Sequence, residues 1–194
     1  MARPKEFDRE DALRKSIPVF WGKGYAGTST DDLVRAMGIG RQSLYDTFGD
    51  KRGLFLEALR AYSAESITAT LKRLRTGPTA LAAIERVLVE LAEEPPKRRA
   101  LGCMGVNAIC EFGNDDEGVR VAIATSAVVL ERSLIDVVED GMAKGEIRRG
   151  IDARAAARFL AATLAGMKVQ QKGGASPEAL RDVAAFAVHS LRPR

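Results

Sequence analysis

An all-α fold is what this sequence predicts: an amino-terminal three-helix unit holding a helix-turn-helix, then a C-terminal helical bundle, about nine helices in all. Three observations carry the prediction. Apolar residues recur at helical spacing along most of the chain. No segment reads as a strand, and β-branched clusters such as Val128-Val129 and Val137-Val138 fall inside longer helical periods. Finally, Thr28 to Lys51, TSTDDLVRAMGIGRQSLYDTFGDK, reads as two short helices around a glycine corner, followed at once by the start of another helix.

Asp8 to Lys23 forms the first expected helix, with Ala12, Leu13, Ile17, Phe20 and Trp21 on its apolar face. Pro18 removes one hydrogen bond inside it, which predicts a bend or local break near Arg14. The next helix opens on Thr28, Ser29 and Thr30, hydroxyls that can cap free N–H groups, with Asp31 and Asp32 opposing the positive end of the helix dipole. Leu33, Val34 and Met37 give it a buried face, and Gly38-Ile39-Gly40 makes the corner. The helix from Arg41 to Phe48 is anchored by Leu44 and Phe48. Its remaining face of Arg41, Gln42, Ser43 and Tyr45 suits reading bases and phosphates in a DNA major groove.

A long helix is expected from Gly49 or Asp50 to Arg75, tying the amino-terminal unit to the C-terminal bundle through Leu54, Phe55, Leu59, Tyr62, Leu71 and Leu74. Gly77-Pro78 opens a helix over Ala80 to Ala92, and Glu93 to Arg99 has the composition of a loop. Further helices are expected from about Gly102 to Phe112, from the Gly113–Asp116 cap to Lys144, from Asp152 to Gln171, and from Glu178 to Ser190.

Composition bounds the function. With 194 residues, 46% hydrophobic and 29% charged, the chain resembles an ordinary globular protein. A net charge of +4 permits a nucleic-acid partner without demanding one. No apolar run approaches the ~20 residues of a membrane span, and the start, MARPKEFDRED, has no apolar segment behind it. The expectation is therefore a cytoplasmic protein with no membrane partner. Two cysteines argue against a disulfide scaffold, and the single histidine, His189, against a His-rich metal site. There is no C-x-x-C, phosphate loop or paired-carboxylate set, so neither enzyme activity, catalytic residues, cofactor nor metal is expected.

The ordered set Gly24-Tyr25, Thr28-Ser29, Asp32-Leu33-Val34, Ala36-Met37-Gly38-Ile39, Ser43-Leu44-Tyr45, Phe48 and Lys51 ahead of Leu54 resembles the TetR family of bacterial transcriptional regulators. The resemblance implies a homodimer that sets each recognition helix in a major groove of a near-palindromic double-stranded operator. It further implies phosphate contacts from Thr28, Thr30, Tyr45 and Lys51, and base-edge contacts from Arg41, Gln42 and Ser43. Asp46 and Thr47 stand where many members carry aromatic or histidine residues. An acid beside DNA repels phosphate, so Asp46 either accepts from a cytosine amino group or orients Arg41, Gln42 or Lys51.

The resemblance also implies a C-terminal domain that answers an effector, a small molecule or an oxidant or electrophile. Cys103 follows Lys97-Arg98-Arg99 near a helix start, two features that stabilise a thiolate. A glycine-cysteine pair here resembles a subgroup of the family in which some members sense oxidants or electrophiles. Two readings stand for Cys103, a sensor thiol and a small core residue. Asn107, Phe112, Met167 and Gln170 are candidate walls of an effector site, each equally readable as core or edge. Small residues, among them Ala153, Ala156, Ala157, Ala161, Ala165 and Gly166, with Val183, Ala184, Ala187 and Val188 on the last helix, suit a close approach of helices, between two subunits as the resemblance implies or only within one. The expected division is a DNA-binding domain over residues 1–52 and an effector-binding and dimerisation domain over 53–194. The other functional classes open at this point are a thiol-based redox protein or enzyme, and a helical interaction protein that does not bind DNA.

Overall fold

The computed structural model describes residues 7–193; residues 1–6, where the charged amino terminus begins, and Arg194 lie outside it. The described residues form ten helices: α1 (Arg9–Lys23), α2 (Thr30–Met37), α3 (Arg41–Phe48), α4 (Lys51–Arg75), α5 (Ala80–Ala92), α6 (Pro96–Leu101), α7 (Met104–Phe112), α8 (Glu117–Ala143), α9 (Ala153–Lys172) and α10 (Pro177–Leu191). They are the nine expected plus α6, in a stretch whose composition reads as loop. Its backbone starts from Pro95, whose carbonyl accepts from the N–H groups of Arg98 and Arg99 at 2.8 and 3.0 Å. Pro96 sits in the first turn, where a missing N–H costs no hydrogen bond.

The helix ends follow from local chemistry. The Asp8 carboxylate caps α1 through the N–H groups of Glu10 and Asp11. Ser29 and Asp32 close a reciprocal capping box at the start of α2, and Gly38 ends it with a left-handed φ of 69°. Asp50, Thr79, Asp116, Asp152 and Ser176 cap α4, α5, α8, α9 and α10 in the same side-chain fashion. Helix α1 stays helical through Pro18, without the break expected near Arg14. Its buried Ala12, Phe20 and Trp21 hold it against the other helices, and Ser16, fully buried, turns its hydroxyl back on the Leu13 carbonyl at 2.7 Å.

Two apolar cores result. The first joins α1, α2, α3 and the first half of α4 to Met104 and Ala108 of α7 and Val119 and Ala122 of α8. Leu33, Leu44 and Leu54 are wholly buried in it, each worth roughly 1.5–3 kcal/mol of transfer free energy. The second core joins Leu74 to α5, the second half of α8, Ile147, α9 and α10. Helix α4 belongs to both, yet none of its residues between Ser63 and Leu74 is buried.

The small residues of the last helices fall differently from expectation. Ala156, Ala157, Ala184, Ala187 and Val188 are buried inside the subunit, where they let α9 and α10 approach each other and the bundle. The face of α9 left exposed is Ala155, Phe159, Ala162, Gly166 and Val169, and Phe186 on α10 is 73% exposed. Among the described residues, no helix is long and apolar enough to cross a membrane.

Candidate functional site

Helix α3 presents the polar face that the sequence implied. Leu44 and Phe48 point inward, while Arg41, Gln42, Tyr45 and Asp46 are exposed and Ser43 is half-buried. Asp46 accepts from Gln42 Nε2 at 2.8 Å, one helical turn apart, so of the roles open to it, this acid orients Gln42. Arg41 donates to Asp31 of α2 at 2.5 Å, and that carboxylate raises the guanidinium's affinity for its proton. Two of the expected base-reading groups, Arg41 and Gln42, are therefore held by acids.

The other expected DNA contacts divide. Tyr45 is 41% exposed, and Thr30, the first residue of α2, is half-buried. Thr28 is only 1% exposed and donates its hydroxyl to the Gly24 carbonyl at 2.5 Å, so it shapes the loop and cannot offer its side chain to a phosphate. Lys51 reaches back to the Thr28 carbonyl at 2.8 Å and lies over the Tyr25 ring, 4.2 Å from its centroid. It closes the loop beneath α2 as well as standing at the start of α4. The Lys23 ammonium beside Asp32, together with the Ser29 cap, holds the Asp32 carboxyl well below the usual carboxylate range.

Three connections tie this unit to the helices behind it. Glu111, in the last turn of α7, accepts the backbone N–H groups of Tyr25 and Ala26 at 2.9 and 2.6 Å. Gly24 makes the approach possible: it takes a φ of 72°, and a Cβ there would sit 2.9 Å from a Glu111 oxygen. Arg52 at the start of α4 pairs with both oxygens of Asp116, the cap of α8, at 2.7 and 2.8 Å. The third is Trp21 of α1, which donates to the Gly102 carbonyl at 3.2 Å, packs edge-on against Tyr62 and carries the Arg98 guanidinium over its face at 4.4 Å.

Tyr62, Arg98 and Gly102 also line an open-sided cavity of about 310 Å³ bordered by α4, α5, α6, α7, α8 and α9. Cys103 lines it too, at the N-cap of α7. Burial, and then the neighbouring Cys103, push the Tyr62 phenol upward. The other effector candidates do not line it. Asn107 donates to the Leu101 carbonyl and accepts from Lys172, both at 3.0 Å, pinning the α6–α7 corner to α9. Phe112 stacks with Tyr25 and Phe55, in the core beneath the helix-turn-helix. Met167 is core at 1% exposure, and Gln170 faces solvent. It is the next residue, Gln171, that is buried, donating to the Leu91 carbonyl. Among the cavity residues not foreseen are Ser63, Ser66 and Thr70 of α4 and Lys168 of α9. Their spacing of three and four along α4 was the available signal.

Cys110 is exposed, on a surface groove that it shares with Asn107, Glu111 and Lys168. Among the described residues, no group of three or more His, Cys, Asp or Glu is arranged to hold a metal ion.

Residues 13–58 match the bacterial regulatory proteins of the tetR family, and residues 77–187 match the Tetracyclin repressor-like C-terminal domain. The HTH-type transcriptional repressor ComR of Escherichia coli (strain K12) is 31% identical over 186 residues, 94% of this chain and 88% of that protein. The uncharacterized HTH-type transcriptional regulator YezE of Bacillus subtilis (strain 168) is 40% identical over 124 residues, 62% of this chain; the match spans 63% of that relative's length. Among solved structures, a cysteine-substituted variant of the TetR family transcriptional regulator CifR, complexed with 26-bp double-strand operator DNA, has a TM-score of 0.81 and 32% identity. That match covers 98% of this chain and 100% of that one.

Proposed function

The chain belongs to the TetR family, a DNA-binding transcriptional regulator, and on that premise we propose how it acts: as a homodimeric repressor in the bacterial cytoplasm, released from a near-palindromic operator. Release follows when a small molecule fills the α4–α9 cavity or when an oxidant or electrophile modifies Cys103. The observation that carries this reading is the sharing of residues at Trp21. This side chain of the DNA-binding unit takes its hydrogen bond, its edge-on aromatic partner and its cation from three residues that line the cavity. A change of cavity occupancy that moves Tyr62, Arg98 or Gly102 therefore moves α1, against which α2 packs with α3 behind it.

The groups proposed to meet DNA are Arg41, Gln42 and Ser43 at base edges, and Thr30, Tyr45 and Lys51 at phosphates. Recognition helices of a dimer must sit about 34–36 Å apart to enter successive major grooves. The exposed faces of α9 and α10, with Phe159, Val169 and Phe186, are the proposed seam between subunits. The proposed division is a DNA-binding domain over residues 1–52 and an effector-binding and dimerisation domain over 53–194. Mechanically, α7 and the start of α8 pack on both.

Operator and cavity bias one rigid-body equilibrium, so each ligand should weaken the other's binding by the same factor. The test selects an operator from a random DNA pool, then measures its affinity by fluorescence anisotropy with and without a saturating cavity ligand. Two half-sites one helical turn apart and a ligand-dependent loss of affinity are expected. A selected DNA whose affinity stays constant while the cavity is filled overturns release through the cavity.

A further inference from the structure

The cavity carries information about the charge of what it binds. Its ionisable lining, apart from the Tyr62 phenol and the Cys103 thiol, consists of Arg73, Arg98 and Lys168 against Glu90 and Glu94. Arg73 is paired with Glu90 at 2.5 Å, and Arg98 stands 3.8 Å from Glu94. That leaves a single positive charge in excess, and among the described residues Lys168 has no carboxylate in ion-pair range. Both loosely held cations stem from the neighbourhood of Gly102: Arg98 lies over Trp21, whose indole bonds the Gly102 carbonyl, and the Lys168 backbone carbonyl lies beside Gly102. The nine-residue helix α7 begins there as well, with no side chain capping its first turn, and Gly105 and Val106 of that turn line the cavity. Free N–H groups at a helix start favour an anion.

A second feature is independent of charge. Ser63 is 8% exposed, lines the cavity and, among the described residues, donates to no group of the protein. Its hydroxyl opens onto the cavity, where it is free to bond a ligand oxygen. Ser66, Thr70 and Ser126 add hydroxyls, and most of the remaining wall, including Val87, Leu91, Ile123, Leu130 and Leu164, is apolar. A volume of about 310 Å³ holds a compact molecule.

We propose that the cavity is a binding site for a monocarboxylate with an apolar body, its carboxylate held by Lys168, Arg98 and the start of α7, its body lying against Val87, Leu91 and Leu164. One excess positive charge matches a single negative charge; a phosphate dianion would leave a charge uncompensated beside Glu94. This assignment rests on reading the cavity as the effector site. It also states how the signal starts: a carboxylate beside Arg98 competes with the Trp21 ring for the guanidinium.

The test uses octanoate as the probe and octanamide as its neutral counterpart, with the full-length protein. The chain holds one tryptophan, so intrinsic fluorescence reports Trp21 alone. Octanoate is expected to change that emission saturably and to bind about tenfold more tightly than octanamide, the scale of a charge-assisted contact. Lys168→Met should bring the two affinities together while the Tm stays within a few degrees of wild type. Arg98→Gln should halve the fluorescence change or more. Equal affinity for both probes in the wild type, absence of binding by octanoate, or a preference that survives Lys168→Met overturns the proposal. Operator anisotropy separates it from the premise. Octanamide releasing DNA as well as octanoate refutes the ligand class and leaves release through the cavity standing, whereas octanoate that binds selectively without weakening the operator does the reverse.

Discussion

The Glu111 carboxylate on α7 accepts the Tyr25 N–H at 2.9 Å, and with the Ala26 N–H beside it the two donors hold α7 to the loop that leads into α2. Glu111 is exposed, so losing it leaves N–H groups that water can reach. Glu111→Ala should therefore lower the Tm by only a few degrees while weakening operator binding several-fold, because the orientation of α2 and α3 loses its anchor. Gly24→Ala should do the same with a larger loss of stability, since it adds left-handed strain to the close approach. Thermal melts alongside operator titrations separate the two effects, and parallel losses in both for Glu111→Ala would argue for a purely structural role.

The Arg52 guanidinium, and then the Val119 N–H, lower the Asp116 carboxyl from its usual value to about 2. A carboxyl depressed on folding adds stability that is complete above its unfolded pKa and disappears as pH falls through the folded value. Wild type should therefore melt above Asp116→Asn at pH 5 and higher, with the gap closing between about pH 4 and pH 2. Melting curves of both proteins across that range check this. A gap that persists at pH 2 would show that the link works by shape rather than charge.

The Arg41–Asp31 pair would have to open for Arg41 to meet a base as proposed. Arg41→Ala should cost about 1–3 kcal/mol of discrimination at one base position and leave other positions intact. Asp31→Asn should strengthen binding to operator and nonspecific DNA alike, by removing a carboxylate near phosphates and freeing the guanidinium. Asp46→Ala releases Gln42 and should alter preference at a single base position more than overall affinity. Selection from a random DNA pool with each variant reads all three outcomes.

Phe186, 73% exposed on α10, is the most exposed large apolar side chain of the proposed subunit seam. Phe186→Glu should shift the protein toward monomer at micromolar concentration and weaken operator binding, with little change in helix content. Sedimentation equilibrium decides it. An unchanged dimer would move the seam to another face, for which Phe159→Glu is the second probe.

What the sequence revealed depended on how local the physics was. The α2–α3 unit was legible because its caps, corner and anchors lie within a few residues of one another: Ser29 with Asp32, Gly38, Leu44 with Phe48. Helix α6 was not, because two prolines and a run of charges mimic a loop unless the first proline precedes the helix and the second occupies its first turn. Gln170 was expected at the effector site, but the polar group buried in α9 is Gln171, about 100° further round the helix. A long amide facing inward has no periodic signature. Trp21 reads locally as core, and its link to the cavity depends on Arg98 and Gly102, far along the chain.

Helix α4 is clamped in one core through Leu54 to Ser63 and in the other at Leu74, with nothing buried between. It behaves as a beam fixed at both ends and unsupported over its middle, and the cavity lies under that span at Ser66, Ile67 and Thr70. Its amides should exchange hydrogen faster there than at either end, because only local opening protects them. A bound molecule would then act as a pier beneath the span, transmitting load between the two halves.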